Sequence, residues 1–173
     1  AAVWPAVRDG YLVWLAGYDA TGGHFERAEA EGHTPLGDWQ LIGRLDRVDR
    51  GADGQTLVID YKTEGRQRTA DRIKDVAEDT QLAFYAALLS DDSLRAAYLN
   101  VGERDGTKLY EQQDVTALRD RLLAGIQSDL QRIADGARLP ALGEGSACDW
   151  CAARGLCRRD FWSTPATPGG EYS

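Results

Sequence analysis

Methionine is missing from all 173 residues, position 1 included. That absence is expected of a domain cut from a longer polypeptide, with partners and some site residues upstream of Ala1. Long apolar runs are missing as well. The longest, Leu82 to Leu89, is eight residues, and a helix that crosses a bilayer needs about twenty, so no membrane partner is expected. Arg8 and Asp9 interrupt any hydrophobic segment at the amino end, which leaves no signal-peptide pattern and makes a cytoplasmic location the expectation. Cysteine is scarce: Cys148, Cys151 and Cys157 are the whole set, odd in number and within ten residues. That is no secreted disulfide framework. Spare thiols or a local disulfide are the plain alternatives, and the C-x2-C-x5-C spacing beside Arg154, Arg158 and Arg159 favours a metal site over both.

An excess of positive charge is lacking too. The formal charge of −8 argues against a broad nucleic-acid-binding surface. Net charge hides local patches, and Lys62 to Lys74, KTEGRQRTADRIK, holds five basic and two acidic residues. Arg66, Arg68, Arg72 and Lys74 are the candidates to grip a polyanion there; a solvated helix start is the other reading. What remains is ordinary: 43% hydrophobic and 28% charged residues are the composition of a globular protein, and the length suits one well-packed domain.

Periodicity gives the order of elements. Trp4, Val7, Tyr11, Trp14 and Tyr18 mark one face of a helix that ends before Gly22-Gly23. A loop-like stretch through Gly32, Pro35 and Gly37 follows, then a strand from Trp39 to Asp49, the turn-rich GADGQ, and a strand from Thr56 to Lys62. Ile73, Val76 and QLAFYAALL read as one second helix, ended by Ser90-Asp91-Asp92. RAAYLNV and TKLYEQQ read as two strands around the turn ERDG, and Val115, Leu118, Leu122, Ile126, Leu130 and Ile133 as a third helix, stopped near Gly136 and Pro140. No internal repeat is visible. The expected fold is a single α/β layered domain, with a core at 1–144, a cysteine-rich segment at 145–160 and a flexible tail at 161–173.

LVIDYKT, Leu57 to Thr63, reads as a buried strand that nevertheless carries Asp60 and Lys62. If the hairpin turns at Asp53, Asp46 stands opposite Asp60 on one face, Cβ atoms about 4.5–5.5 Å apart. Lys62 shares that face, while Leu57, Ile59 and Tyr61 point to the other. A slip of one residue breaks the arrangement. Opposed carboxylates repel, and a divalent cation between them reverses the sign. Mg²⁺ takes one or two carboxylates and leaves room for water and phosphate oxygens; a neighbouring lysine can orient the attacking water or stabilise charge on the phosphate. The plain alternative is a wet sheet face on which Arg44, Arg47 and Lys62 pair with Asp46, Asp49 and Asp60. A glycosidase built from the two aspartates suits the short separation and the lysine poorly.

GRLDRVD, then VIDYKT, then QLAFYAALL, then C-x2-C-x5-C, in order over roughly Glu29 to Cys157, resembles the RecB/AddB-type branch of the PD-(D/E)XK nucleases. The resemblance implies a restriction-endonuclease-like fold: a central mixed sheet with a catalytic hairpin, flanked by helices. It implies Mg²⁺ or Mn²⁺ held by Asp46, Asp60 and the main-chain carbonyl of Tyr61, with Lys62 as the catalytic lysine. Gln81 and Tyr85 match the family's Q-x3-Y helix motif; standing alone they would read as helix surface. Glu29 takes the place of an acidic residue ahead of the hairpin, with Glu26 and Glu31 competing for it. An early-helix histidine is expected as well, and His24 and His33, in the loop-like region, match it poorly; it lies upstream or is absent. The three cysteines resemble the carboxyl-terminal ligands of a [4Fe–4S] cluster. Such a cluster needs four thiolates, and none occurs between Ala1 and Ala147, so the cluster belongs to a full-length protein and is incomplete in this chain, where zinc can take its place.

The function implied is metal-dependent hydrolysis of DNA phosphodiester bonds, as an exonuclease working with a helicase domain or subunit in recombination or repair, the chain itself being monomeric. Two alternatives stay open: a catalytically silent nuclease-like module that binds DNA ends or a protein, and a cysteine-based structural metal module whose hairpin charges are incidental.

Overall fold

The computed structural model describes residues 3–76, 79–102, 106–138, 148 and 151–157. Three of the four residues of the expected turn ERDG, the helix stop at Pro140, half of the cysteine-rich segment and the tail at 161–173 lie outside them. Two units are distinguished, Ala1–Leu130 and Gln131–Ser173; the sheet and the site belong to the first.

The first helix, α1 (Trp4–Ala20), starts with Pro5 in its first turn, where a missing N–H costs nothing. It stops where Gly22, at φ +85°, turns its N–H back to the Asp19 carbonyl. Tyr11, Trp14 and Tyr18 face the sheet, as their spacing predicts, whereas Trp4 is exposed.

The stretch after α1 departs from expectation. His24–Leu36 is a strand, β1, not a loop, and pairs antiparallel with β2 (Trp39–Arg50) along almost its whole length. Its glycine is a packing device. Gly32 and Gly43 are cross-strand partners, and Leu88 fills the slot they leave: a Cβ on Gly32 would lie 2.7 Å from Leu88 Cβ, and one on Gly43 2.5 Å from Leu88 Cδ1. Glycine inside a strand signals such close approach as readily as a turn. Pro35 is tolerated because β1 is an edge strand. His24 and His33 therefore stand on a strand, and α1 contains no histidine.

The five-stranded sheet runs β1-β2-β3-β4-β5, with β3 (Thr56–Lys62) antiparallel to β2 and parallel to β4 (Arg95–Gly102), and β5 (Gly106–Glu111) antiparallel to β4. It is the mixed sheet, flanked by helices, that the resemblance implies. Helices cover both faces of the central strands, which is why LVI is apolar without alternation. Leu57, Ile59, Ala97 and Leu99 meet α1 on one face. On the other, Val58, Ala96 and Tyr98 pack with Leu82, Ala86 and Leu88, and with Val115 at the start of α4 (Val115–Ala134). Of the helix expected from Ile73 through QLAFYAALL, only α3 (Gln81–Ala87) is helical, and a separate helix, α2 (Arg66–Arg72), ends before Ile73. Between the two, Asp79 accepts from both Arg72 and the Tyr98 hydroxyl. A four-residue helix, α5 (Arg154–Cys157), lies in the second unit. No described helix is long and apolar enough to cross a membrane.

Candidate active site

The hairpin between β2 and β3 closes over Gly51–Gln55, with the Gly51 amide bonded to the Gln55 carbonyl at 2.9 Å. Arg47 pairs with Ile59, Val48 with Val58, Asp49 with Leu57 and Arg50 with Thr56, the register that centres the turn on Asp53. Beyond Arg47 the ladder stops. The Tyr61 amide, which would continue it towards β2, donates to Asp46 Oδ2 at 3.1 Å. One side chain thus replaces a ladder bond and turns Asp46 towards β3. Across β1, Ala28 pairs with Arg47 and Ala30 with Leu45, leaving Glu29, at φ +51°, opposite Asp46. The Glu29 carboxylate reaches Arg44 at 2.6 Å instead, in an exposed pair.

Asp60 is 3% exposed. Its Oδ1 accepts from Gln81 Nε2 at 2.6 Å. The Lys62 ammonium lies 2.8 Å from Oδ2 and pairs its charge with that oxygen. Gln81 ties the group together: its Oε1 accepts from Lys62 Nζ at 2.7 Å and its Nε2 also lies 3.3 Å from the Tyr85 hydroxyl. Burial pushes the Asp60 carboxyl above the usual carboxylate range; Lys62 opposes this and Asp46 adds to it. Burial likewise raises the Tyr85 phenol, with Asp60 and Asp46 contributing. Asp46, Asp60, Lys62, Gln81 and Tyr85 therefore share one electrostatic environment, although they come from three elements.

Part of the salt-bridge alternative is present too. Arg47 Nε meets Asp49 Oδ1 at 2.7 Å, but this buried pair lies on the α1 face. There Arg47 also donates to the Tyr11 and Tyr61 hydroxyls at 2.7 and 3.3 Å. Arg44 and Asp46 are not paired with each other; each has the partner given above.

The basic stretch is less available than its sequence suggests. Arg72 binds Glu64 at 2.5 Å and Asp79 at 2.6 Å. Arg68 reaches Glu64 at 3.1 Å and Lys74 reaches Asp71 at 3.0 Å, both from largely exposed side chains. Arg66 opens α2. A cleft of about 450 Å³ runs beside the site, lined by Arg72, Asp79, Thr80, Gln81, Phe84, Leu122 and Ile126, so that Gln81 faces both the acidic group and open space.

Sequence reasoning missed the layer beneath Lys62. Tyr98 is the register partner of Asp60, and Lys62 Nζ sits 4.8 Å from the centre of its ring. The only signal was a hydroxylated aromatic within RAAYLNV, and its meaning depends on the parallel pairing of β3 with β4, which spacing does not reveal.

A hard divalent cation fits this donor set. The buried Asp60 carboxylate feels the charge of Asp46, and a cation between the two would offset their repulsion. No group of three His, Cys, Asp or Glu side chains able to hold a metal occurs among the described residues, so further ligands would be main-chain oxygen and solvent. The cysteines of this chain do not complete an iron–sulfur cluster by themselves. None of the three cysteines is in a disulfide, but three thiolates are one short of the four needed.

No curated protein matches the chain. A solved structure titled "Crystal structure of SSO0001" is similar, with a TM-score of 0.44 and 19% identity over 86% of this chain and 65% of that one; the chain spans about two-thirds of that protein. A family model described as the PD-(D/E)XK nuclease superfamily matches residues 1–158. With the hairpin, its lysine and the flanking Q-x3-Y helix in one place, and the match covering nearly the whole sequence, the chain belongs to the PD-(D/E)XK nuclease superfamily.

Proposed function

We propose that this chain is a metal-dependent deoxyribonuclease domain of the RecB/AddB type. The observation that carries this is Asp60: a buried carboxylate that feels the charge of Asp46, with the Lys62 ammonium 2.8 Å from its Oδ2. Asp46, Asp60 and the Tyr61 carbonyl are the proposed ligands of Mg²⁺ or Mn²⁺, and Glu29 joins them only by leaving Arg44. When bound, the cation supplies Lewis-acid polarisation of the scissile phosphate and a more acidic water. Lys62, protonated at Nζ, donates a hydrogen bond that stabilises charge on a phosphate oxygen or orients the attacking water. Gln81 keeps Lys62 and Asp60 at fixed separation through its two amide ends, and Tyr85 closes the group. Arg66, Arg68 and Lys74 are the proposed backbone contacts to DNA; Arg72 can join them only by giving up Glu64 and Asp79.

Exonuclease action with a helicase domain or subunit, in recombination or repair, is proposed on the resemblance alone, as are the [4Fe–4S] cluster on Cys148, Cys151 and Cys157 with a fourth thiolate from elsewhere, and the core boundary at 144. The Lys62–Asp60 contact favours one competing function, a silent module whose charges satisfy each other. Cleavage of linear DNA with and without Mg²⁺ separates the two. Cleavage is expected to need the cation and to fall by about 10²–10³-fold in Lys62→Ala, with circular dichroism unchanged. Equal cleavage by both proteins would remove Lys62 from the mechanism.

A further inference from the structure

Lys62 reaches the site from the last position of β3 on a long, rotatable stem, so something must fix its ammonium. Asp60 Oδ2 and Gln81 Oε1 touch it, but both are members of the site, and Asp60 must turn to a cation when one binds. The third neighbour, the ring of Tyr98, is not part of that exchange. It is 1% exposed, and its hydroxyl donates to Asp79 Oδ1. Asp79 Oδ2 accepts from Arg72, whose Nε and second terminal nitrogen meet Glu64 at 2.5 and 3.0 Å. The carbonyl of Glu64 and the hydroxyl of Thr69 are held in turn by Asn100, each at 2.8 Å. The chain of bonds therefore starts and ends on β4 and passes through α2.

We propose that Tyr98 is the positioning residue for Lys62. Its ring face is the seat on which the ammonium stays while Asp60 changes partners, and Asp79 with Arg72 fixes the tilt of that ring. An aliphatic side chain of similar bulk fills the core and offers no such face, because the attraction comes from the ring quadrupole. Arg72 then serves the lysine from behind rather than the DNA from in front. The proposal rests on the nuclease function proposed above.

The test uses the whole chain carrying ¹³C-labelled lysine, with the Lys62 signal identified by its loss in Lys62→Arg. In the wild type and in Tyr98→Phe, the Lys62 ε-methylene protons are expected to be shifted upfield by the ring. In Tyr98→Leu that shift disappears. In DNA cleavage, Tyr98→Leu is expected to lower kcat about tenfold with KM nearly unchanged, while Tyr98→Phe stays within about threefold of wild type. Asp79→Ala leaves the ring in place and is expected to fall between them; if Tyr98→Leu does not fold, Asp79→Ala and Tyr98→Phe carry the test. An unshifted Lys62 in the wild type overturns the proposal, as does a loss in Tyr98→Phe as large as in Tyr98→Leu. Full cleavage by Lys62→Ala overturns the nuclease role of the lysine itself, an outcome kept distinct from the seat because the NMR shift needs no activity.

Discussion

Burial leaves Asp60 dependent on its neighbours, and Gln81 is the neighbour that binds both it and Lys62. Replacing Gln81 with Ala removes both contacts while leaving the half-buried helix face in place. The expected result is a kcat reduced about tenfold or more, checked by steady-state cleavage kinetics beside an unchanged far-UV spectrum. Asp60 and Lys62 were legible from the two-residue period of β3; Gln81 and Tyr85 came from the resemblance, since their four-residue spacing alone reads as helix surface. Glu29 was not legible in the same way. The resemblance suggested it as a ligand, in competition with Glu26 and Glu31, but its backbone sits at φ +51° and its carboxylate pairs with Arg44, and a left-handed backbone at a glutamate leaves no trace in the sequence.

The edge hairpin shows the same limit at the next scale. Gly32 and Gly43 suggested loop and strand respectively, although both do one job, opening a slot for Leu88. Gly43→Ala is expected to destabilise the fold by about 1–3 kcal/mol, because the new methyl must displace a buried leucine; a lowered thermal midpoint checks it. The anchor of α2 predicts a pH effect. Arg72 holds the Glu64 carboxyl below the usual carboxylate range, burial opposing. A depressed folded value means stabilisation that is present above the unfolded value and lost as pH falls through the folded one. Glu64→Gln is therefore expected to lower the melting temperature at neutral pH, with the gap to wild type closing on acidification below about pH 4.5. A gap that stays constant from neutral to acid pH would show that the Glu64 charge is not the source. The late start of α3 belongs here as well: apolar spacing carried the expected helix back to Ile73, but Asp79, bonded to Arg72 and Tyr98, lies in the non-helical stretch before Gln81.

For the whole molecule, charge decides how DNA can be held. With a formal charge of −8 and its basic stretch largely ion-paired, the chain has few cations to release counterions from a duplex. DNA binding is expected to be weak without a divalent ion, and its salt dependence to correspond to only a few phosphates, with Arg68→Ala lowering the log–log slope by about one. Fluorescence anisotropy across a salt series measures both. The layered α/β class was legible from the order of periodic segments; the division at Leu130 and Gln131 was not, since the apolar repeat of α4 runs straight through it. The most direct measurement is calorimetric titration of Mn²⁺ into the wild type and Asp60→Asn. One Mn²⁺ bound by the wild type and none by Asp60→Asn is expected; equal binding by the two, or none by either, would contradict a cation held between Asp46 and Asp60.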